Sequence, residues 1–170
     1  VWTAPVFGDD SGEPGYSSGD SYSGRAKTQA WRWNLDYVVD PHGNVMTYWY
    51  DKELNHYAKN GTTGNGTAYA RGGWLKRIDY GQRSDTVFTR PASARVKFTV
   101  AERCLPVSGG ETCGSLTSSN RNAWPDVPFD LICAADKPCT DQPSPAFFTR
   151  KRLTDVTTQV YDGSGTADRD

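Results

Sequence analysis

The chain has 170 residues, with 19 Lys and Arg against 20 Asp and Glu and a formal charge of −1, so it encodes no basic surface for nucleic acid or an anionic membrane. No apolar run approaches the roughly 18 residues that a membrane helix needs. Hydrophobic content is 36% but aromatic content is 12%, and 17 Gly and 10 Pro accompany it, a composition that suits strands and loops better than helices.

The chain opens Val1-Trp2-Thr3 with no signal-peptide pattern and reads as a processed or excised product. Residues 8–30 are rich in Gly, Ser, Asp and Tyr without periodicity, so 1–30 is expected to be an N-terminal arm or loop. From Trp31 to Val39 the pattern alternates. Trp31, Trp33, Leu35, Tyr37 and Val39 fall on one side and Arg32, Asn34 and Asp36 on the other, which predicts a strand with its aromatics in a core. Asp40-Pro41-His42-Gly43-Asn44 is a turn, because Pro41 fixes φ and Gly43 and Asn44 tolerate positive φ. Val45–Tyr50 is again β-branched and aromatic, completing a hairpin. Asp51–Tyr57 either prolongs that strand or turns, and Lys59–Gly66 is a loop. Further strands are expected at 74–80, 86–90, 94–100 and 152–161, with a short helical turn near 128–133. The organisation that follows is an N-terminal arm (1–30), a β-hairpin region (31–102), an irregular Pro-rich insertion (103–146) and a C-terminal strand with a cut linker (147–170). The fold class is all-β.

Cys104, Cys113, Cys133 and Cys139 allow three pairings, of which the local one, Cys104–Cys113 with Cys133–Cys139, closes two short loops. Each such loop is worth roughly 2–3 kcal/mol in the chain-entropy model. The gaps of eight and five residues do not fit the close pairs of a structural zinc site, so disulfides are favoured over metal. Disulfides place the chain in an oxidising, extracellular compartment.

Catalytic signals are weak. His42 and His56 are the only histidines, and neither lies beside a Ser or Cys nucleophile motif. Asp36, Asp40, Asp51 and Asp79 read as sheet-edge or turn residues, and their spacing does not match a calcium loop. No catalytic, metal or cofactor residue is therefore assigned. Trp31, Trp33, Trp49 and Trp74 could stack on sugar rings if they lay exposed and coplanar. Asn60-Gly-Thr62 and Asn65-Gly-Thr67 match the glycosylation acceptor pattern, which chiefly marks an exposed loop.

The sharpest segment is Asp40-Pro-His-Gly43-Asn44-Val-Met-Thr-Tyr48-Trp-Tyr50-Asp51. Its pattern, D-x-x-G-N-x-x-x-Y-x-Y-D, resembles the repeat unit of RHS/YD-repeat proteins. Trp74–Gly81 resembles the strand that often follows, and Val160-Tyr-Asp-Gly163 echoes the ending. The runs 31–81 and 124–161 look like the region leading into the repeats of large secreted actinobacterial RHS proteins. The resemblance implies a non-catalytic piece of a strand-wound shell around a C-terminal polymorphic toxin, comparable to the shell of teneurins. It also implies a secreted or surface bacterial setting, with the remainder of a larger parent chain as partner. Asp40, Gly43, Asn44, Tyr48, Tyr50 and Asp51 would hold the turn and its pairing. Two alternatives stand beside it: a carbohydrate- or surface-binding β-sandwich module contacting a cell-surface glycan, and an extracellular hydrolase with an unfamiliar site.

Overall fold

A computed structural model describes residues 1–105 and 113–163. Among these, regular structure is almost entirely β. The strands are β1 (Trp2–Phe7), β2 (Ala26–Arg32), β3 (Tyr37–Val39), β4 (Asn44–Tyr57), β5 (Thr67–Arg83), β6 (Ala94–Glu102) and β7 (Lys151–Val160). The helical pieces are 3-10 turns of three or four residues, one of them at Phe129–Leu131, where a helical turn is predicted. β1 and β2 form a two-stranded antiparallel sheet, and β3-β4-β5-β6-β7 form a five-stranded sheet in sequence order. The all-β class holds.

Three local expectations change. The strand over 31–39 is two pieces: β2 ends at Arg32 and pairs with β1, whereas β3 begins at Tyr37 and pairs with β4. Residues 33–36 cross from one sheet to the other, so Trp33 is 74% exposed rather than in a core, despite its place in the alternation. Period two reports a strand-like backbone but not what covers it. The strand at 86–90 is a turn, with Thr86 N donating to Arg83 O and Thr89 N and Arg90 N both donating to Thr86 O. Local turn bonding overrides the β propensity of Thr86-Val87-Phe88 there. The N-terminal arm contains β1, whose Trp2 and Ala4 are buried.

The chain divides into two compact units. One comprises Val1–Trp33, Lys52–Gly73 and Arg103–Arg150. Its core is aromatic and small. Tyr69 meets Tyr57 and Phe147 edge-on, each at 5.7 Å between centroids, and Trp31 lies 4.8 Å from Phe147 and 5.5 Å from Trp2. The 103–146 stretch has no strand among its described residues but supplies a core cluster: Trp124 and Ala123 are fully buried with Cys104 and Val127. Both disulfides are local, Cys104–Cys113 and Cys133–Cys139, and no described cysteine is free for zinc. Arg103 N donates to Arg150 O at 2.7 Å, closing the neck of this excursion.

The other unit comprises Asn34–Asp51, Trp74–Glu102 and the chain from Lys151. Its β6–β7 ladder runs from Ala94↔Val160 to Glu102↔Lys151, with an irregularity at Thr99/Val100. The β5–β6 register places Ile78 opposite Val96, and the β6–β7 register places Phe98 opposite Val156. One face therefore carries Ile78, Val96, Phe98, Val100, Val156 and Val160, and none of the six is buried.

Trp124 is the heaviest fully buried side chain. Trp124→Ala is expected to cost about 3–5 kcal/mol, because the lost contacts and the remaining cavity add. A urea midpoint indistinguishable from that of the parent chain would contradict this packing.

Candidate functional site

The motif residues Asp40 to Asp51 come together as a turn and the strand it launches. Asp40 Oδ1 accepts from His42 N and Asn44 N, each at 2.9 Å, and Oδ2 accepts from Asn44 Nδ2 at 2.7 Å. Gly43 N donates to Asp40 O, and Asp40 N to Asn44 O. Gly43 sits at φ +78°, where an L side chain is strained. A Cβ at Gly43 would also approach Ser84 Oγ to 3.2 Å. Arg83 Nη1 donates to Asn44 Oδ1 at 2.7 Å, and Ser84 N to Gly43 O, so the end of β5 clasps the turn. Asn44 and the backbone amides hold the exposed Asp40 carboxyl below its ordinary range, with a smaller contribution from Arg83. Three N–H donors already occupy that carboxylate, which gives its position a structural cause without a cation.

Downstream, the motif side chains work along the strand. Tyr48 N donates to Asp36 O, the Tyr48 hydroxyl to Met46 Sδ, and the Tyr50 hydroxyl to Leu35 O. Asp51 lies 3.8 Å from Lys76 Nζ, and both are substantially exposed, so that pair contributes little. Asp40, Gly43, Asn44, Tyr48 and Tyr50 together fix the crossing chain 34–36, the turn and β4.

Sequence reasoning missed the charged ladder beside them. Asp79 is a buried residue of β5, the middle strand of the five, and not the sheet-edge or turn residue expected. Its Oδ1 accepts from Arg95 Nε at 2.6 Å and its Oδ2 from Arg77 Nε at 3.0 Å. The Arg77 guanidinium lies 4.3 Å over the Trp49 ring. The pattern Arg77-x-Asp79, with Arg95 on the next strand, was the available signal, but strand pairing was needed to read it. The other buried carboxylate, Glu53, binds Arg71 Nη2 at 3.1 Å and Arg150 N at 2.9 Å, and accepts from Thr149 Oγ1. Arg71 also lies 4.5 Å over Phe148. Burial draws the Arg71 pKa down, against Glu53, which raises it.

The tryptophans do not form one platform of free rings. Trp31 donates Nε1 to Ala70 O at 3.0 Å and packs between Trp2 and Phe147. Trp49 lies under Arg77, and Trp74 has Lys151 Nζ 6.0 Å from its centroid. Trp33 is the most exposed of the four. His42 is exposed and contributes its backbone to the turn, whereas His56 is half-buried. Among the described residues, neither imidazole pairs with a buried carboxylate: Glu53 and Asp79 are taken by arginines. No described helix is long and apolar enough to cross a membrane.

Comparison with protein-family models, with curated proteins and with solved structures gave no match.

Gly43→Val is expected to cost about 1–2 kcal/mol or more, from left-handed strain alone; an unchanged urea midpoint would refute the turn. The pH dependence follows from the depressed Asp40 pKa. Its stabilisation is present above the unfolded carboxylate value of 3.8 and fades as pH falls through the lower folded value. The stability gap between the parent chain and Asp40→Ala should therefore be open at neutral pH and close in acid. A gap that persists in strong acid would mean that the carboxylate charge is not what holds the turn.

Proposed function

We propose that this chain is a non-catalytic structural piece of a secreted or surface RHS/YD-repeat shell protein, whose sheet is built to meet further β-ribbons of its parent. In this reading the parent carries a C-terminal toxin that the shell encloses or presents. The observation that carries the proposal is the five-stranded sheet itself. One face is apolar yet has no buried residue among Ile78, Val96, Phe98, Val100, Val156 and Val160. Its terminal strand β7 is ten residues long and exposed along nearly its whole length. An open edge of that length with apolar side chains is a template for another strand. The Asp40–Asn44 turn supports the reading too, since every motif residue it engages serves chain reversal and strand pairing. Two disulfides fit an oxidising compartment.

The test compares the isolated chain with the same chain extended by the polypeptide that follows it in its gene. Alone, the chain should bind an apolar-surface dye and exchange its outward β7 amides rapidly. In the extended form both should fall. An isolated chain that binds no dye and already protects β7 as a monomer would sink the proposal.

One feature favours a second reading, a carbohydrate- or surface-binding module: Trp33 is an indole 74% exposed. Retention on immobilised polysaccharide that disappears in Trp33→Ala would establish it in place of the shell reading.

A further inference from the structure

Two asparagines precede glycine, Asn60-Gly61 and Asn65-Gly66. In such a pair the glycine amide nitrogen can attack the asparagine side-chain carbonyl carbon, because glycine has no Cβ to obstruct the approach. A C–N bond forms and ammonia leaves. The succinimide then takes up water at either carbonyl and becomes aspartate or isoaspartate. The fold can prevent this in two ways: by engaging the glycine N–H, and by denying its peptide room to turn.

Both restraints act at Asn65. Its side chain is exposed. Gly66 N donates to Lys137 O at 3.1 Å, and Asn65 faces Pro138 across an isolated antiparallel bridge. Gly66 is also tightly enclosed. A Cβ there would overlap Cys139 Sγ and lie 2.9 Å from His56 Cβ and 3.3 Å from Tyr57 N. Lys137 and Pro138 belong to the small, mostly exposed ring closed by Cys133–Cys139, whose two cysteines are buried with Ala58. The acceptor and the nearest of the three packing atoms belong to that ring, whereas His56 Cβ and Tyr57 N belong to β4.

We infer that Asn65 is a latent deamidation site guarded by the Cys133–Cys139 disulfide. A dithiol reductant opens the bridge by exchange, becoming a disulfide itself and leaving two thiols. Lys137 O and Cys139 Sγ are then released from Gly66, and cyclisation at Asn65 proceeds. The product places a carboxylate, or an extra backbone methylene, just before β5, and it persists after the disulfide re-forms. Asn60 is an internal reference. It sits at φ 56°, and the Gly61 N–H is held by Ala58 O at 2.9 Å within its own 3-10 turn, outside the disulfide ring.

The experiment incubates the intact chain, Cys133→Ala/Cys139→Ala and Cys104→Ala/Cys113→Ala in mildly alkaline buffer. Isoaspartate is quantified by peptide mapping at residues 60 and 65. The expected result is protection of Asn65 in the intact chain and in Cys104→Ala/Cys113→Ala. In Cys133→Ala/Cys139→Ala its rate should rise by up to about tenfold, the factor that losing one hydrogen bond of ordinary net worth can amount to, with Asn60 unchanged. Equal rates at Asn65 in all three proteins would overturn the inference, and so would a parallel rise at both asparagines. A further arm needs no variant: Asn65 in the intact native chain should react far more slowly than in the same chain unfolded in urea with its disulfides intact, and equal rates there would also overturn it.

Discussion

The buried carboxylate of Glu53 is the interaction on which its unit of the chain depends. Glu53 belongs to β4, Arg71 to β5, and Thr149 and Arg150 to the segment that leads into β7. Three stretches far apart in sequence are joined at two oxygens. Removing a charge pair from water costs more than it returns unless the remaining hydrogen-bonding positions are filled. Here Glu53 is filled by a guanidinium, a hydroxyl and a backbone amide, and Arg71 gains the Phe148 ring. Within this cluster Arg71 Nε is left buried without a hydrogen-bond partner. Such an arrangement adds little net stability over an apolar core, but it selects one register. If the 149–150 segment slipped, the carboxylate would be left buried and unsatisfied.

The five-stranded sheet solves a different problem. On one side Trp49, Arg77, Asp79 and Arg95 bridge three strands through a cation–ring contact and two ion pairs, so charge is retained inside a sheet face because each member has a partner. On the other side the apolar residues are at most half-buried, and Val156 and Val160 are exposed. A lone sheet gains the hydrophobic contribution of only what it covers, at about 25 cal/mol per Å². The unburied face therefore represents stabilisation that further chain could supply, and this asymmetry is what gives the shell reading its physical content.

Much of the strand pattern was legible in the sequence, for a specific reason. Val45–Tyr50, Trp74–Tyr80, Ala94–Val100 and Arg152–Val160 carry their β-branched and aromatic signal within one segment, and the Asp40–Asn44 turn states its chemistry in five residues. What was hidden depended on partners distant in sequence. Trp33 continues the alternation of its neighbours, yet the chain changes sheets at that point. β1 is too short for the alternation of Trp2, Ala4 and Val6 to stand out, and Trp2 is buried and packs against Trp31. Asp79 resembles any strand-borne acid until Arg95 is placed opposite it by the β5–β6 register. The local disulfides could be weighed from spacing, whereas Glu53 gave no signal, because its partners lie 18 and about a hundred residues away.

The stretch from Arg103 to Arg150 shows how a segment with no strand among its described residues is held. It leaves from the end of β6 and returns at the start of β7, where Glu102 and Lys151 are paired in register and joined by an ion pair at 2.6 Å. Between them, 3-10 turns satisfy only local amides. Side chains then add to the few backbone bonds that tie it to the rest of its unit, Ala58 N to Gln142 O and Gly66 N to Lys137 O. Asn55 is fully buried for this purpose, donating to Tyr69 Oη and Leu131 O and accepting from Cys133 N. Tyr69 Oη in turn donates to Ala146 O and accepts from Ala146 N. Two residues of β4 and β5 thus read the backbone of the irregular stretch at 131, 133 and 146, and one disulfide constrains each end of it. Of the two strands that flank it, β6 is paired on both sides, whereas β7 pairs with β6 alone among the described strands.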